Sequence, residues 1–378
     1  MLEYLDDDGI SIEPRNYLPI LPLVLLNGAT GIGTGYSTSV PSYEPLAVAA
    51  AVRSWISAAI GFGQSESGQQ AAPPSALRPW YRGFRGAIEE HNGKLRSRGL
   101  VARSAPTKAR VTELPLGVWT EDFKAALEAL VEKSADVRSF ANDSTDATVD
   151  FTITFATAAA ADAWTSPGSQ SASDASLTRL EAELKMTGTK GLATTNMHLF
   201  NARGQIQKFA TTWAIVDAFC AARLGGYVRR REHILSRLAA EARVLRNKSR
   251  FLDLVADGSL ALHDRSKTPD ELAARMVELG LEPLGGCEKE LDKENTDKGH
   301  DKGHEEDDGG DERGGAAGFK YLLSMPMSSL TARRKAALDA SLASTTAESA
   351  RVEATAPTDL WLADVAAFEA ECALLSRP

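Results

Sequence analysis

The densest chemistry-bearing spacing in the chain lies between Asn27 and Ser42. Glycine stands at 28, 31, 33 and 35, hydroxyl residues at 30, 34, 37, 38 and 39, and one large aliphatic side chain, Ile32, sits between two glycines. Such a stretch has three readings. A glycine-rich turn cradles phosphates when a helix opens directly after it, yet "GIGTGYSTSVP" reaches Pro41 with no helix start and without the GK[ST] ending of a P-loop. A tight turn can tuck Ile32 into the protein's own core. Alternatively, Ile32 is an apolar wedge pushed between base steps, while the glycines let backbone approach phosphates. Elsewhere no paired carboxylates, His/Cys cluster or nucleophile–base pair has convincing spacing. Cys220, Cys287 and Cys372 stand far apart without a CxxC, which indicates neither a disulfide framework nor a zinc site, and a reducing intracellular compartment is expected.

The elements that must position this stretch follow from pattern. An apolar run, Leu18 to Leu26, leads into it. Four glycines at about 0.5–1 kcal/mol each disfavour any helix or strand there, so a shaped loop is predicted, closed by the Pro41 turn. The recurrence of Leu46, Val48, Val52, Ile56 and Ile60 after Pro45 predicts a helix, and residues 61–75 read as a linker. Short strands are expected over 95–115, a helix N-capped by Thr120, a strand with Val149, Phe151, Ile153 and Phe155 on one face, and a short helix near 158–166. From Thr212 to Val255 a long helix repeats leucine at 224, 238, 245 and 252, with Arg231 interrupting the register and Arg229, Arg230, Arg237, Arg243 and Arg246 covering its outer face. Its partner returns over Leu330 to Val352 and continues after Pro357.

Composition is that of an ordinary globular chain: 378 residues, 43% hydrophobic, net charge −9, and no apolar run near the ~18–20 residues of a membrane span. The distribution of charge is uneven. Residues 78–110 carry nine Lys/Arg against Glu89 and Glu90, and residues 203–250 carry eleven against Asp217, Glu232 and Glu241. Residues 285–313 reverse the sign, with twelve acids against five bases. Two separated basic blocks downstream of a possible wedge suggest a duplex track. The acidic insert 285–318, with its "DKGHDKGH" containing His300 and His304, reads as a disordered loop.

"YLPILPLVLLNGATGIGTGYSTSVPSYEP" resembles the signature stretch of eukaryotic-type type IIA DNA topoisomerases, in which the loop isoleucine intercalates and bends DNA. "YRGFRG" (81–86), "ELP…WT" (113–120), "TNMHLF" (195–200) and "YLLSMPMSSLT" (321–331) resemble further family motifs, in the family's order. The resemblance implies an α+β fold: a mixed α/β tower-like lobe, then a long antiparallel coiled-coil arm with a small helical dimerisation cap. It divides the chain into the end of a winged-helix region with the wedge loop (1–40), the tower-like domain (41–210), coiled-coil arms (211–257 and 328–378) and an exit-gate cap (258–327). It implies DNA contacts by Ile32 as wedge and by Asn27, Gly31, Gly33, Thr34, Arg82, Arg85, Lys185, Thr187, Thr189, Lys190, Thr194, Thr195 and Asn196.

The implied whole enzyme passes one duplex through a break in another, using a tyrosyl linkage, magnesium and ATP, in the nucleus, during chromosome segregation. The family's tyrosine is expected upstream of Met1, since neither Tyr4 nor Tyr17 follows an arginine, and "EGDSA" and "DxDxDG" metal motifs are absent from the sequence. This segment is therefore expected to bind double-stranded DNA and form a homodimer, to bind no cofactor itself, to rely on upstream metal-binding and ATPase modules, and to be inactive alone. The alternatives are a non-catalytic DNA-bending or dimerisation module, a truncated product, or a nucleotide-binding enzyme using Gly28 to Gly35.

Overall fold

The structure, a computed structural model, describes residues 2–62, 77–166, 176–260, 268–284, 315–325 and 331–375. The chain opens on a hairpin, β1 (Tyr4–Asp7) and β2 (Ile10–Pro14), whose turn residues Asp8 and Gly9 both have positive φ. Aspartate–glycine is the favoured pair for that two-residue turn. After it comes a short helix, α1 (Leu23–Asn27), that buries Leu25, and then a second hairpin, β3 (Ala29–Gly33) and β4 (Tyr36–Val40). This corrects the expected loop. Interstrand pairing from Ala29↔Val40 to Gly33↔Tyr36 outweighs the glycine cost, and Gly35 at φ +80° supplies the turn.

Helix α2 (Pro45–Phe62) buries Val48, Val52 and Ile56, spaced by four, together with Ala49 and Ala51. Leu46 and Ile60, predicted on the same face, are exposed. Strands β5 (Ala87–His91) and β6 (Lys94–Arg98) form a hairpin through Asn92 and Gly93, and β7 (Leu100–Ala105) and β8 (Lys108–Glu113) follow. Helix α3 (Thr120–Lys133) has Trp119 as its N-cap, so Thr120 is the first helical residue and not the cap. β9 (Val137–Asn142), β10 (Phe151–Phe155), α4 (Ala158–Thr165) and α5 (Arg179–Glu183) complete a layered lobe. Its sheet runs β7-β8-β10-β9, all antiparallel. Phe151, Ile153 and Phe155 point from β10 onto Phe123, Leu127, Leu130 and Trp164 of the helices. A second sheet orders β11 (Thr187–Gly188), β6 and β5, and β12 (Met197–Phe200) pairs with β13 (Ile206–Phe209).

Helix α6 spans Thr212–Ala256, α7 Pro269–Glu278, α8 Lys320–Leu323, α9 Ala332–Ala354 and α10 Pro357–Leu375. Two compact units divide within α6 and α10: residues 17–224 with 361–378, and residues 1–16 with 225–360. In the first, the Trp361 indole donates to the Ile20 carbonyl at 3.0 Å and Trp55 donates to Asp217 at 2.7 Å. In the second, α6 and α9 run antiparallel, with Ser249 donating to Asp339 at 2.5 Å and Lys335 paired to Asp253. Val244, Phe251 and Leu252 of α6 pack with Met276 of α7, Phe319, Leu322 and Leu338. The register break at Arg231 has a physical reason. Its guanidinium donates to the Val352 and Glu353 carbonyls in the last turn of α9, where the Val352 carbonyl also accepts from the Thr355 amide.

Residues 315–318, placed by the sequence reading in the acidic insert, belong to a 3₁₀ turn, Gly315–Phe319, whose Phe319 is buried. Residues 285–314, with His300 and His304, lie outside the described residues, as do 63–75 of the linker and Leu330. Among the described residues no helix is long and apolar enough to cross a membrane.

Candidate nucleic-acid interface

The β3–β4 hairpin is built to hold one apolar side chain in solvent. Ile32 is 94% exposed, higher than Trp119 or Phe200 at 72%. On the opposite face of the strand, Gly31 has no heavy atom near the position a Cβ would take, and at Gly33 the nearest lies 3.8 Å away. The ribbon is thus bare backbone on one side and isoleucine on the other. At the base the geometry is strict. Gly28 sits at φ +69°, and a Cβ there would meet the Val40 carbonyl oxygen at 3.0 Å.

A distant segment braces the hairpin. The Asn196 carbonyl accepts from the Ser39 amide, and its side-chain amide donates to Ser37 Oγ, both at 2.8 Å. The His198 amide donates to Thr38 Oγ1 at 3.3 Å, and Tyr36 meets the His198 ring edge-on at 6.0 Å. Strand β4 is therefore held on both edges, by β3 and by the segment leading into β12.

Of the other predicted contact residues, Asn27 is exposed at the end of α1 and Thr34 is exposed in the hairpin turn. Arg82 is exposed in a turn anchored by Tyr81, whose hydroxyl donates to the Gly191 carbonyl at 2.7 Å. Lys190 lies against Gly117 and reaches its carbonyl at 3.4 Å. The Tyr81, Gly117 and Lys190–Gly191 loops thus converge. Lys185 is exposed at φ +50°, and Thr187 is half-buried in β11, paired with Arg98. Thr189, Thr194 and Thr195 line a cleft of about 720 Å³ with Arg78, Lys94 and Leu192. Arg85 departs from its twin. It pairs with Glu113 at 3.6 Å and donates to the Thr112 carbonyl at 3.0 Å, so its guanidinium is engaged within the protein.

The same is true of much of the first basic block. Arg96 pairs with Glu89, Arg98 with Glu181, Arg103 with Asp162 and Arg110 with Asp150. Glu181 is buried, accepts two bonds from Arg98 at 2.8 Å, and closes a capping box with Thr178. Arg110 holds the Asp150 carboxyl below the usual carboxylate range, mainly through their hydrogen bond. Burial pushes the Tyr43 phenol and the Cys220 thiol upward.

Sequence reading missed Ser37, His198 and Tyr81 as structural partners, and nothing local in the sequence signals them. It also missed the β1–β2 and β5–β6 hairpins, although Asp8-Gly9 and Asn92-Gly93 are available hairpin signals. The nucleotide reading required a helix after Gly35, and β4 stands there instead. The core reading required Ile32 to be buried, and it is exposed. Among the described residues no three His, Cys, Asp or Glu side chains gather where they could hold a metal ion.

Known proteins share both the sequence pattern and the architecture. A family profile described as the A subunit of DNA gyrase/topoisomerase IV matches residues 1–366. DNA topoisomerase 2 of Pisum sativum is 35% identical over 291 residues, 75% of this chain and 18% of that protein. DNA topoisomerase 2 of Arabidopsis thaliana is 30% identical over 98% of this chain and 24% of its own length. The chain thus spans roughly a fifth of these relatives. The crystal structure of the Plasmodium falciparum topoisomerase II DNA-binding, cleavage and re-ligation domain matches all of this chain and 48% of its own, with TM-score 0.75 and 27% identity. A mixed α/β architecture shared with that domain, and a profile match along nearly the whole chain, establish that the protein belongs to the family of DNA gyrase/topoisomerase IV A subunits, the type II topoisomerases.

Proposed function

We propose that this chain is the DNA-bending, dimer-forming part of a type II topoisomerase cleavage core, acting within an ATP-dependent enzyme that changes DNA topology by double-strand passage. The observation that carries it is Ile32: a large apolar side chain almost fully in water, on a hairpin thinned by glycine and braced by Asn196 and His198. Seated between base pairs, Ile32 recovers about 1.5–3 kcal/mol of burial against an unstacking cost of a few kcal/mol. The exposed faces of Gly31 and Gly33, with Asn27, Thr34, Arg82, Lys185, Lys190 and the threonines at 187, 189, 194 and 195, are placed in this reading along the phosphates. Arg85 drops to a supporting role. The antiparallel α6–α9 pair is the coiled-coil arm, and α7 with residues 315–325 the exit-gate cap. Magnesium and ATP act in modules other than this segment. By analogy with relatives the enzyme works in the nucleus, although one relative, from Dictyostelium discoideum, is named mitochondrial.

The test is end-to-end energy transfer on a labelled duplex of about 20–30 base pairs, a length for which bending costs are roughly 1–6 kcal/mol. Ile32→Ala is expected to lose most of the bending while keeping the salt dependence of binding, since no phosphate contact is removed. Equal bending by parent and variant overturns the wedge. An exit gate closes on a two-fold mate, so the chain is expected to be a homodimer through residues 252–335. Light scattering that gives a monomer at tens of micromolar contradicts this. Alone, the chain is expected to hold DNA without cutting it, and a protein-linked DNA end in a denaturing gel would refute that.

A further inference from the structure

The sequence pattern assigns the arginines of α6 to a solvated outer face. Their arrangement is more particular than that. Arg243, Arg246 and Arg250 are all exposed and spaced by three and four, so their side chains project from one face, with Cβ atoms roughly 5–6 Å apart. Like charges at that spacing destabilise a helix. A solvated face normally answers them with acids three or four residues away, but at those distances only Asp253 is acidic, and it pairs with Lys335 of α9. Asp339, another carboxylate near this part of α6, accepts from Ser249, Glu278 of α7 pairs with Arg275, and Glu282 meets α6 through its backbone carbonyl, which accepts from Asn247. Among the described residues no carboxylate forms an ion pair with Arg243, Arg246 or Arg250. Arg250 is also positioned: its guanidinium lies against the Gly280 turn, where a Cβ would meet Nη2 at 3.1 Å. Arg229, exposed fourteen residues before Arg243, continues the same face, where Glu232 is the one acid. From Arg229 to Arg250 the helix rises about 32 Å, roughly nine base pairs of duplex.

We infer that Arg243, Arg246 and Arg250, extended by Arg229, form a second surface for the sugar–phosphate backbone of double-stranded DNA, independent of the Ile32 hairpin. The inference rests on the reading of the chain as a duplex binder, but on different residues and a different compact unit. A cluster of guanidinium forks with no carboxylate partner among the described residues is matched by a polyanion, and phosphate accepts their paired N–H groups. The face carries no aromatic side chain between Arg243 and Arg250, which favours backbone contact over base stacking.

The experiment uses the full chain and a fluorescent 24-base-pair duplex, reading anisotropy at several salt concentrations and end-to-end energy transfer together. Replacing the three arginines by glutamine (R243Q/R246Q/R250Q) is expected to flatten the log-affinity against log-salt slope by about 2.7, at 0.9 per lost phosphate contact. DNA bending and the thermal midpoint are expected to be retained. Replacement by lysine is expected to keep the slope, since a point charge still meets phosphate. A glutamine variant with the parent's slope overturns the proposal. So does a folded glutamine variant that also stops bending, because the surface is then not independent. A parent that does not bend DNA, with a slope that still falls in the glutamine variant, refutes the hairpin reading and leaves this one standing.

Discussion

The two basic blocks look alike as sequence and differ as surface. Residues 78–110 carry nine bases against two acids, and residues 203–250 eleven against three. In the first block five arginines are neutralised, four of them by acids beyond its end: Glu113, Asp150, Asp162 and Glu181. In the second, three arginines on consecutive turns of α6 have no such partner among the described residues. The lesson concerns what a charge count measures. A sheet brings distant strands and helices alongside, so its bases find acids that a sequence window does not contain. A long helix offers its outer face chiefly its own near neighbours, and here the one acid at three or four residues, Asp253, is taken by Lys335.

The sharpest way to break this comparison is at Glu181. If the first block is structural, Glu181→Ala strands Arg98 and removes the capping box, at a cost of about 3 kcal/mol, the lower end of the usual range because Arg98 retains some solvent. Urea unfolding measures it, and a loss below 1 kcal/mol would mean the pairing is decorative. A smaller effect is expected with acid. The folded Asp150 carboxyl ionises at lower pH than in the unfolded chain, because Arg110 bonds to the charged form. Its contribution is therefore complete above the unfolded value near 3.9 and disappears as pH falls through the lower, folded value. Asp150→Asn should remove that part of the acid-induced loss, seen as a shallower fall in thermal midpoint below pH 4. The smallest effect belongs to the second block. Arg243→Gln relieves repulsion from Arg246 and should leave stability unchanged or raise it by about 0.2–0.5 kcal/mol. A clear destabilisation would show that Arg243 has a structural partner after all.

Elements with strong local pattern were legible in the sequence. The four-residue recurrence at Val48, Val52 and Ile56 and the alternation at Phe151, Ile153 and Phe155 each match an observed element. The exposure of Ile32 was anticipated only as one of several readings, because nothing in the glycine spacing distinguishes a wedge from a core plug. The strand character of residues 29–40 was not legible. Glycine disfavours strand locally, and the compensation combines the β3–β4 pairing with bonds from Asn196 and His198, over 150 positions away. Arg85 illustrates the same limit: beside Arg82 it looks equivalent, and only the fold brings Glu113 to it.

The bond between Asn196 and Ser37 spans 159 residues, and that span has a consequence for biosynthesis. A ribosome adding roughly 5–20 residues per second takes about 8–32 s to deliver Asn196 after Ser37 has been made. Through that interval the hairpin has its β3 edge but not its brace, and the isoleucine at its tip lacks a fixed bearing on anything it touches. On the proposed reading, competence to grip a duplex therefore arrives only once Asn196 has been made. A message cut short before the codon for Asn196 would yield a polypeptide that displays Ile32 without the brace that aims it.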